Sequence, residues 1–153
     1  MPDASSITGG CACGAIRYAL RSEPFDTGWC HCTLCRRSSG APAVVFSTIP
    51  AGDFELVQGA DALRVWRSTH FGERTFCQIC GALLSIRLDF QPDTVDITVA
   101  TLDQPERVTP AFHIFWQDAI AWAAFDDGLP RYPRFRPDTR GLPIGQTLPP
   151  DAP

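Results

Sequence analysis

The chain has 153 residues, 44% of them hydrophobic and 20% charged, with a formal net charge of -4; that is one ordinary domain, burying roughly 69% of its unfolded surface. An acidic balance, with a pI near 5.2, gives no electrostatic draw towards nucleic acid or an anionic membrane, so neither is expected as a partner. All 13 basic residues are arginine, which excludes Schiff-base and lysine-nucleophile chemistry. No run approaches 18 apolar residues and Met1–Gly10 is polar, so neither a membrane helix nor a secretory signal is predicted, and a cytoplasmic location is expected.

In chain order, residues 1–8 predict a flexible N-terminus. Ile16–Leu20 alternates as a strand, and Thr33–Ser39 runs without a breaker to Gly40, fitting a short helical turn. Ala43–Ile49, Leu63–Arg67 and Thr94–Thr101 read as further strands, rich in β-branched or alternating residues. Ala119–Phe125 fits either a helix or a buried strand. Residues 134–153 form a proline-rich tail in which fixed φ angles and missing N–H donors discourage regular structure. The prediction is a β-dominated, all-β single domain spanning 9–133.

Seven cysteines stand out, and none is isolated: Cys11 and Cys13, then Cys30, Cys32 and Cys35, then Cys77 and Cys80. In an extended segment residues i and i+2 face one side, so Cys11 and Cys13 can offer two thiolates to one ion. Cys77-Gln78-Ile79-Cys80-Gly81 has the two-residue spacer of a zinc knuckle, with a glycine for the tight turn. Two such pairs would close a four-cysteine site, leaving Cys30, Cys32 and Cys35 as three ligands from one loop. Spacing alone also allows one pair to join two members of the triad. Disulfides would need an oxidising compartment and an even count. An iron–sulfur cluster would usually show ferredoxin-type spacings, which are absent. Two structural zincs, the second completed by His31, His70 or His113, remain an alternative. His31 sits between two cysteines of a strand-like segment and should point away from them; His113 lies among aromatics as a core histidine, and His70 adjoins a turn.

Three thiolates around a dication leave one negative charge in excess, which suits holding a fourth, exogenous thiol as thiolate better than acidifying water. The chemistry points to sulfur and a small thiol. Arg36 and Arg37 follow the triad and could clamp carboxylates on such a substrate.

Three segments carry a resemblance: Gly10-Cys11-Ala12-Cys13-Gly14-Ala15-Ile16-Arg17-Tyr18, Cys30-His31-Cys32-Thr33-Leu34-Cys35-Arg36-Arg37 and Phe76-Cys77-Gln78-Ile79-Cys80-Gly81. Together with Val95–Val99, Leu102-Asp103, His113 and Asp126–Pro133, they are similar to the glutathione-dependent formaldehyde-activating enzyme family, which includes centromere protein V relatives. The resemblance implies an Mss4-like fold of short antiparallel strands and two zincs per chain. One would be structural, on Cys11, Cys13, Cys77 and Cys80; the other catalytic, on Cys30, Cys32 and Cys35, with an open position. It further implies a carbon–sulfur lyase that reversibly joins glutathione and formaldehyde as S-hydroxymethylglutathione. The competing class is a non-catalytic, zinc-stabilised binding module. A methionine-sulfoxide reductase on a similar scaffold would need a cysteine not committed to metal.

Overall fold

The computed structural model describes residues 6–136, in which strands predominate around one α-helix. In chain order these are β1 (Ile7–Gly10), β2 (Arg17–Leu20), β3 (Phe25–Cys30), α1 (Thr33–Ser39), β4 (Val44–Pro50), β5 (Phe54–Gln58), β6 (Leu63–Thr69), β7 (Gly72–Cys77), β8 (Leu83–Leu88), β9 (Thr94–Thr98) and β10 (His113–Ile114). They form a three-stranded sheet, β1-β2-β5, and a seven-stranded sheet, β10-β3-β4-β9-β8-β7-β6. The pairing is antiparallel throughout except for β10 on β3, which is parallel. The single β-dominated domain agrees with the expectation. Among the described residues no helix is long and apolar enough to cross a membrane.

Two apolar clusters use opposite faces of the larger sheet. On one face Ile49, Val95 and Ile97 meet Ile7, Tyr18 and Leu20 of the smaller sheet. The period-two alternation of β9 sends Val95 and Ile97 to this core. On the other face Ile86, Phe46 and Val44 gather around Cys30, Cys32, Cys35 and Phe115. Between the pairs Thr75↔Ser85 and Phe76↔Leu83, β8 carries one extra residue, Leu84. This bulge lets Leu84 serve the first core although Ile86, two residues on, serves the second.

Departures from the expected elements have local causes. β1 begins at Ile7, inside the stretch expected to be flexible, because Ile7 is only 5% exposed in the first core and pairs with Leu20. β9 stops at Thr98, short of the Thr94–Thr101 prediction, and the chain turns through a 3-10 helix at Val99–Thr101. The Thr101 hydroxyl donates back to the Thr98 carbonyl at 2.7 Å, in place of a strand partner. Ala119–Phe125 is neither helix nor strand: it forms a turn closed by Ala123 N–H to the Ile120 carbonyl, with Trp122 exposed. Of the tail assigned to 134–153, Arg134 accepts from Phe115 N–H and Phe135 packs on the second cluster, while 137–153 lie outside the described residues.

Candidate metal centres and the cavity beside one of them

The seven cysteine sulfurs fall into two groups, Cys11, Cys13, Cys77 and Cys80, and Cys30, Cys32 and Cys35. In each, all Sγ atoms lie within 4.8 Å of one another. This is the four-plus-three partition expected from the spacing, and it brings neither a mixed set nor a histidine into either group. All seven are free thiols rather than disulfides.

The four-cysteine group is built from two hairpin turns. The turn from β1 to β2 carries Cys11 and Cys13, and the turn from β7 to β8 carries Cys77 and Cys80. The first is a turn rather than the extended segment expected: Gly14 N–H bonds the Cys11 carbonyl at 3.1 Å, and Cys11 N–H bonds that of Ile16. The second repeats the device, with Gly81 N–H on the Cys77 carbonyl at 2.8 Å. Gly14 and Gly81, at φ 78° and 76°, occupy the left-handed region at equivalent places. Cys11 to Cys13 is 3.5 Å and Cys13 to Cys77 is 3.9 Å between sulfurs. Those lengths bracket the edge of about 3.8 Å that four bonds of about 2.3 Å make around a tetrahedral zinc. Ile16 N–H also donates to Cys11 Sγ at 3.2 Å, stabilising negative charge on the sulfur. The donor set fits zinc, and it straddles the two sheets.

The three-cysteine group sits where β3 passes into α1. Cys30 ends the strand; Cys32 caps the helix, its sulfur accepting from Cys35 N–H at 3.2 Å; Cys35 lies in the first turn. All three are buried, but they also line a cavity of about 90 Å³. The Cys32 thiol is pushed down to about 3, first by hydrogen bonding from Cys30 and then from Cys35. Cys30 is driven well above the usual thiol range by the same contacts and by burial. Three thiols packed this closely cannot all ionise without a cation, and three soft donors facing a cavity fit a zinc with one open position.

Sheet register builds the cavity wall. The pairs Gly28↔Phe46, Ile114↔Cys30, Ile86↔Asp96, Arg74↔Ile86 and Gly72↔Leu88 run across six strands, and all of these residues face the cavity. Phe71, Phe112, Phe115 and Phe135 complete an aromatic wall. Two cations line it. Arg136 is paired with Asp26 and lies over the Phe112 ring. Arg74, 5% exposed, donates to Cys35 Sγ at 3.2 Å and to Ser68 Oγ at 2.5 Å. Arg36 is half-buried on α1 and donates to Thr33 Oγ1 at 3.4 Å, while Arg37 is exposed; neither lines the cavity.

His31 points away from the cysteines, as expected, into a second buried polar system. Its Nε2 bonds His113 Nδ1 at 2.8 Å, and His113 Nε2 bonds Asp127 Oδ2 at 2.7 Å. With Asp127 ionised, His113 donates from Nε2 and accepts at Nδ1 from His31 Nε2–H. Trp29, Trp116 and Phe125 enclose the two rings. Burial holds the His31 pKa down to about 4, helped by the nearby Arg131 charge. This chain of bonds anchors the loop that carries Cys30 and Cys32 to the segment after β10. His113→Ala is expected to cost about 3 kcal/mol, from an unpartnered buried donor plus the space left behind; urea denaturation measures it. His70 is exposed, as expected.

Comparison with known proteins follows the same lines. The family model described as "glutathione-dependent formaldehyde-activating enzyme" matches residues 6–118. A Halomonas elongata protein named for that activity is 26% identical over 131 residues, 78% of this chain and 81% of its own length. A Schizosaccharomyces pombe protein named as a lyase is 32% identical over 76 residues, 50% of this chain and 53% of its own. The solved structure of a Rhodobacter sphaeroides protein is similar with a TM-score of 0.56 at 25% identity, covering 81% of this chain and 98% of that one.

Proposed function

The chain belongs to the glutathione-dependent formaldehyde-activating enzyme family, and from that premise we propose that it is a zinc-dependent carbon–sulfur lyase acting on a small thiol adduct. Its reaction would be the reversible joining of glutathione and formaldehyde as S-hydroxymethylglutathione. The single observation that carries this reading is the three-cysteine group opening onto a walled cavity, while the other four cysteines are grouped apart. A lyase-named relative supports the reaction class.

Cys11, Cys13, Cys77 and Cys80 would hold one zinc for structure, and Cys30, Cys32 and Cys35 a second for chemistry. A zinc on those three cysteines would keep the substrate thiol ionised at neutral pH. The protein's own part is to seat the one-carbon unit within the aromatic wall, where water is scarce and charges act strongly. The thiolate sulfur adds to the carbonyl carbon, the π pair moves to oxygen, and the oxygen takes a proton from water, replacing the one the thiol gave up. The reverse reaction breaks the carbon–sulfur bond. Arg36 and Arg37, on the helix that carries Cys35, would receive the carboxylates of glutathione. Free thiols and this thiol substrate suit a reducing, cytoplasmic compartment.

Exchange spectroscopy tests the reading, because the adduct also forms without a catalyst. Glutathione and ¹³C-formaldehyde are brought to equilibrium, and exchange between free and adduct carbon is measured by NMR with and without protein. The expected result is faster exchange that a strong chelator abolishes, with two zincs per chain before chelation. Exchange no faster than the uncatalysed rate overturns the lyase and leaves the zinc-stabilised binding module.

A further inference from the structure

Among the described residues Arg74 is the one buried arginine, and although Arg36 also has a buried, unpartnered Nε, Arg36 does not line the cavity. Arg74 is 5% exposed, on the cavity face of β7, and Phe46, Phe71 and Phe115 share its wall. Nη2 donates to Cys35 Sγ at 3.2 Å and Nη1 to Ser68 Oγ at 2.5 Å. Its Nε is buried without a hydrogen-bond partner. A buried guanidinium N–H left unpaired costs free energy in the resting protein, and such orphans call for a ligand or a function. Thr69 Oγ1, at the same wall, is likewise buried and unpartnered.

We propose that Arg74 is a catalytic residue of the lyase reaction, donating from Nε–H to the oxygen of the one-carbon unit. The proposal rests on the lyase reading and assigns the part of the reaction that no cysteine can perform. As the sulfur–carbon bond forms, the carbonyl oxygen gains the electron pair and becomes an alkoxide. A guanidinium keeps its proton at any working pH, so it stabilises that alkoxide by donation and leaves protonation to water. In the reverse direction the same donor holds the alkoxide as the carbonyl re-forms and the thiolate departs. Arg136 cannot take this part, because it is engaged with Asp26.

The test compares wild-type, R74M and R74K proteins in three readouts: metal content, glutathione binding followed by the absorption of cobalt-substituted protein, and formaldehyde–glutathione exchange. R74M keeps much of the side-chain volume and loses every donor; R74K keeps the charge on a different geometry. The expected result is that R74M holds both metals and binds glutathione within about threefold of wild type. Its exchange should fall by about 100-fold or more, the effect of removing one oxyanion donor. R74K is expected between the two. R74M exchanging within about fivefold of wild type overturns the proposal, as does a loss of exchange no larger than a parallel loss of glutathione binding. Should R74M fail to hold its metals, R74K decides, and a wild-type rate there overturns the proposal equally. A wild-type protein with no catalysed exchange removes the lyase reading and Arg74's role with it, whereas active wild type beside an undiminished variant removes Arg74 alone.

Discussion

Cys77→Ala is expected to abolish the cooperative thermal transition, leaving a chain without fixed tertiary structure at room temperature. Cys77 is fully buried and packs in the first core, at the turn where β7 passes to β8. Its sulfur is 3.9 Å from Cys13 Sγ, sixty-four residues away in sequence and on a turn of the other sheet. A structural zinc contributes about 10–16 kcal/mol in the small domains where it has been isolated, against a typical whole-domain stability of about 5–15 kcal/mol. Losing that zinc with its fourth thiolate would take away as much free energy as the fold has to lose. Circular dichroism melts of Cys77→Ala beside the parent check this, and a chelator should reproduce the result on the parent while a reductant does not. A variant melting within a few degrees of the parent would refute the four-cysteine site as the clamp between sheets. Melting by reductant alone would instead mean disulfides.

How much of this was legible in the sequence differs sharply between fold and site. The two pairs and the triad were, because cysteine spacing within a turn is a local property; that Cys11 and Cys13 join Cys77 and Cys80 was not, because spacing alone also lets a pair join the triad and the contact spans sixty-four residues. β2, β4 and β6 were legible too, β2 and β6 from alternating segments and β4 from its β-branched and aromatic residues, although β6 is largely exposed, with Val65 and Trp66 at the surface. β7 was not: Gly-Glu-Arg-Thr-Phe-Cys has no apolar alternation, because one of its inward positions is filled by Arg74 and another by Gly72. Arg74 is hidden for the same reason: an arginine in a polar strand reads as a solvated one, and only pairing with Ile86 in the next strand turns it inward. Arg36 and Arg37 adjoin the triad in sequence, whereas the cations at the cavity come from β7 and from beyond β10. His31 was readable as facing away from the cysteines by parity alone. Its partners were not, because His113 and Asp127 reach it through the parallel β10–β3 pairing, a long-range contact that no local pattern announces.

Cys32→Ser is expected to behave differently from Cys77→Ala, and the contrast separates the two centres. Cys32 caps α1 through its sulfur, and serine is a good capping residue, so the helix keeps its first-turn bond. The three cysteines of this group lie within one continuous segment from the end of β3 into α1. A metal there therefore constrains little that the strand, the helix and the His31–His113 bond do not already hold. Closing so short a loop removes about 2–3 kcal/mol less chain entropy than closing one of sixty-four residues. The variant should keep a cooperative melt within about 10 °C of the parent, at about 2–4 °C per kcal/mol for a chain this size. Its zinc should fall from two per chain to one, and its catalysis of formaldehyde–glutathione exchange should disappear. Elemental analysis, calorimetry and exchange NMR on one preparation read all three. Retention of two zincs would break the partition of the cysteines. Loss of the fold would make the triad a second structural site, and undiminished exchange with one zinc would move the chemistry away from Cys32 altogether.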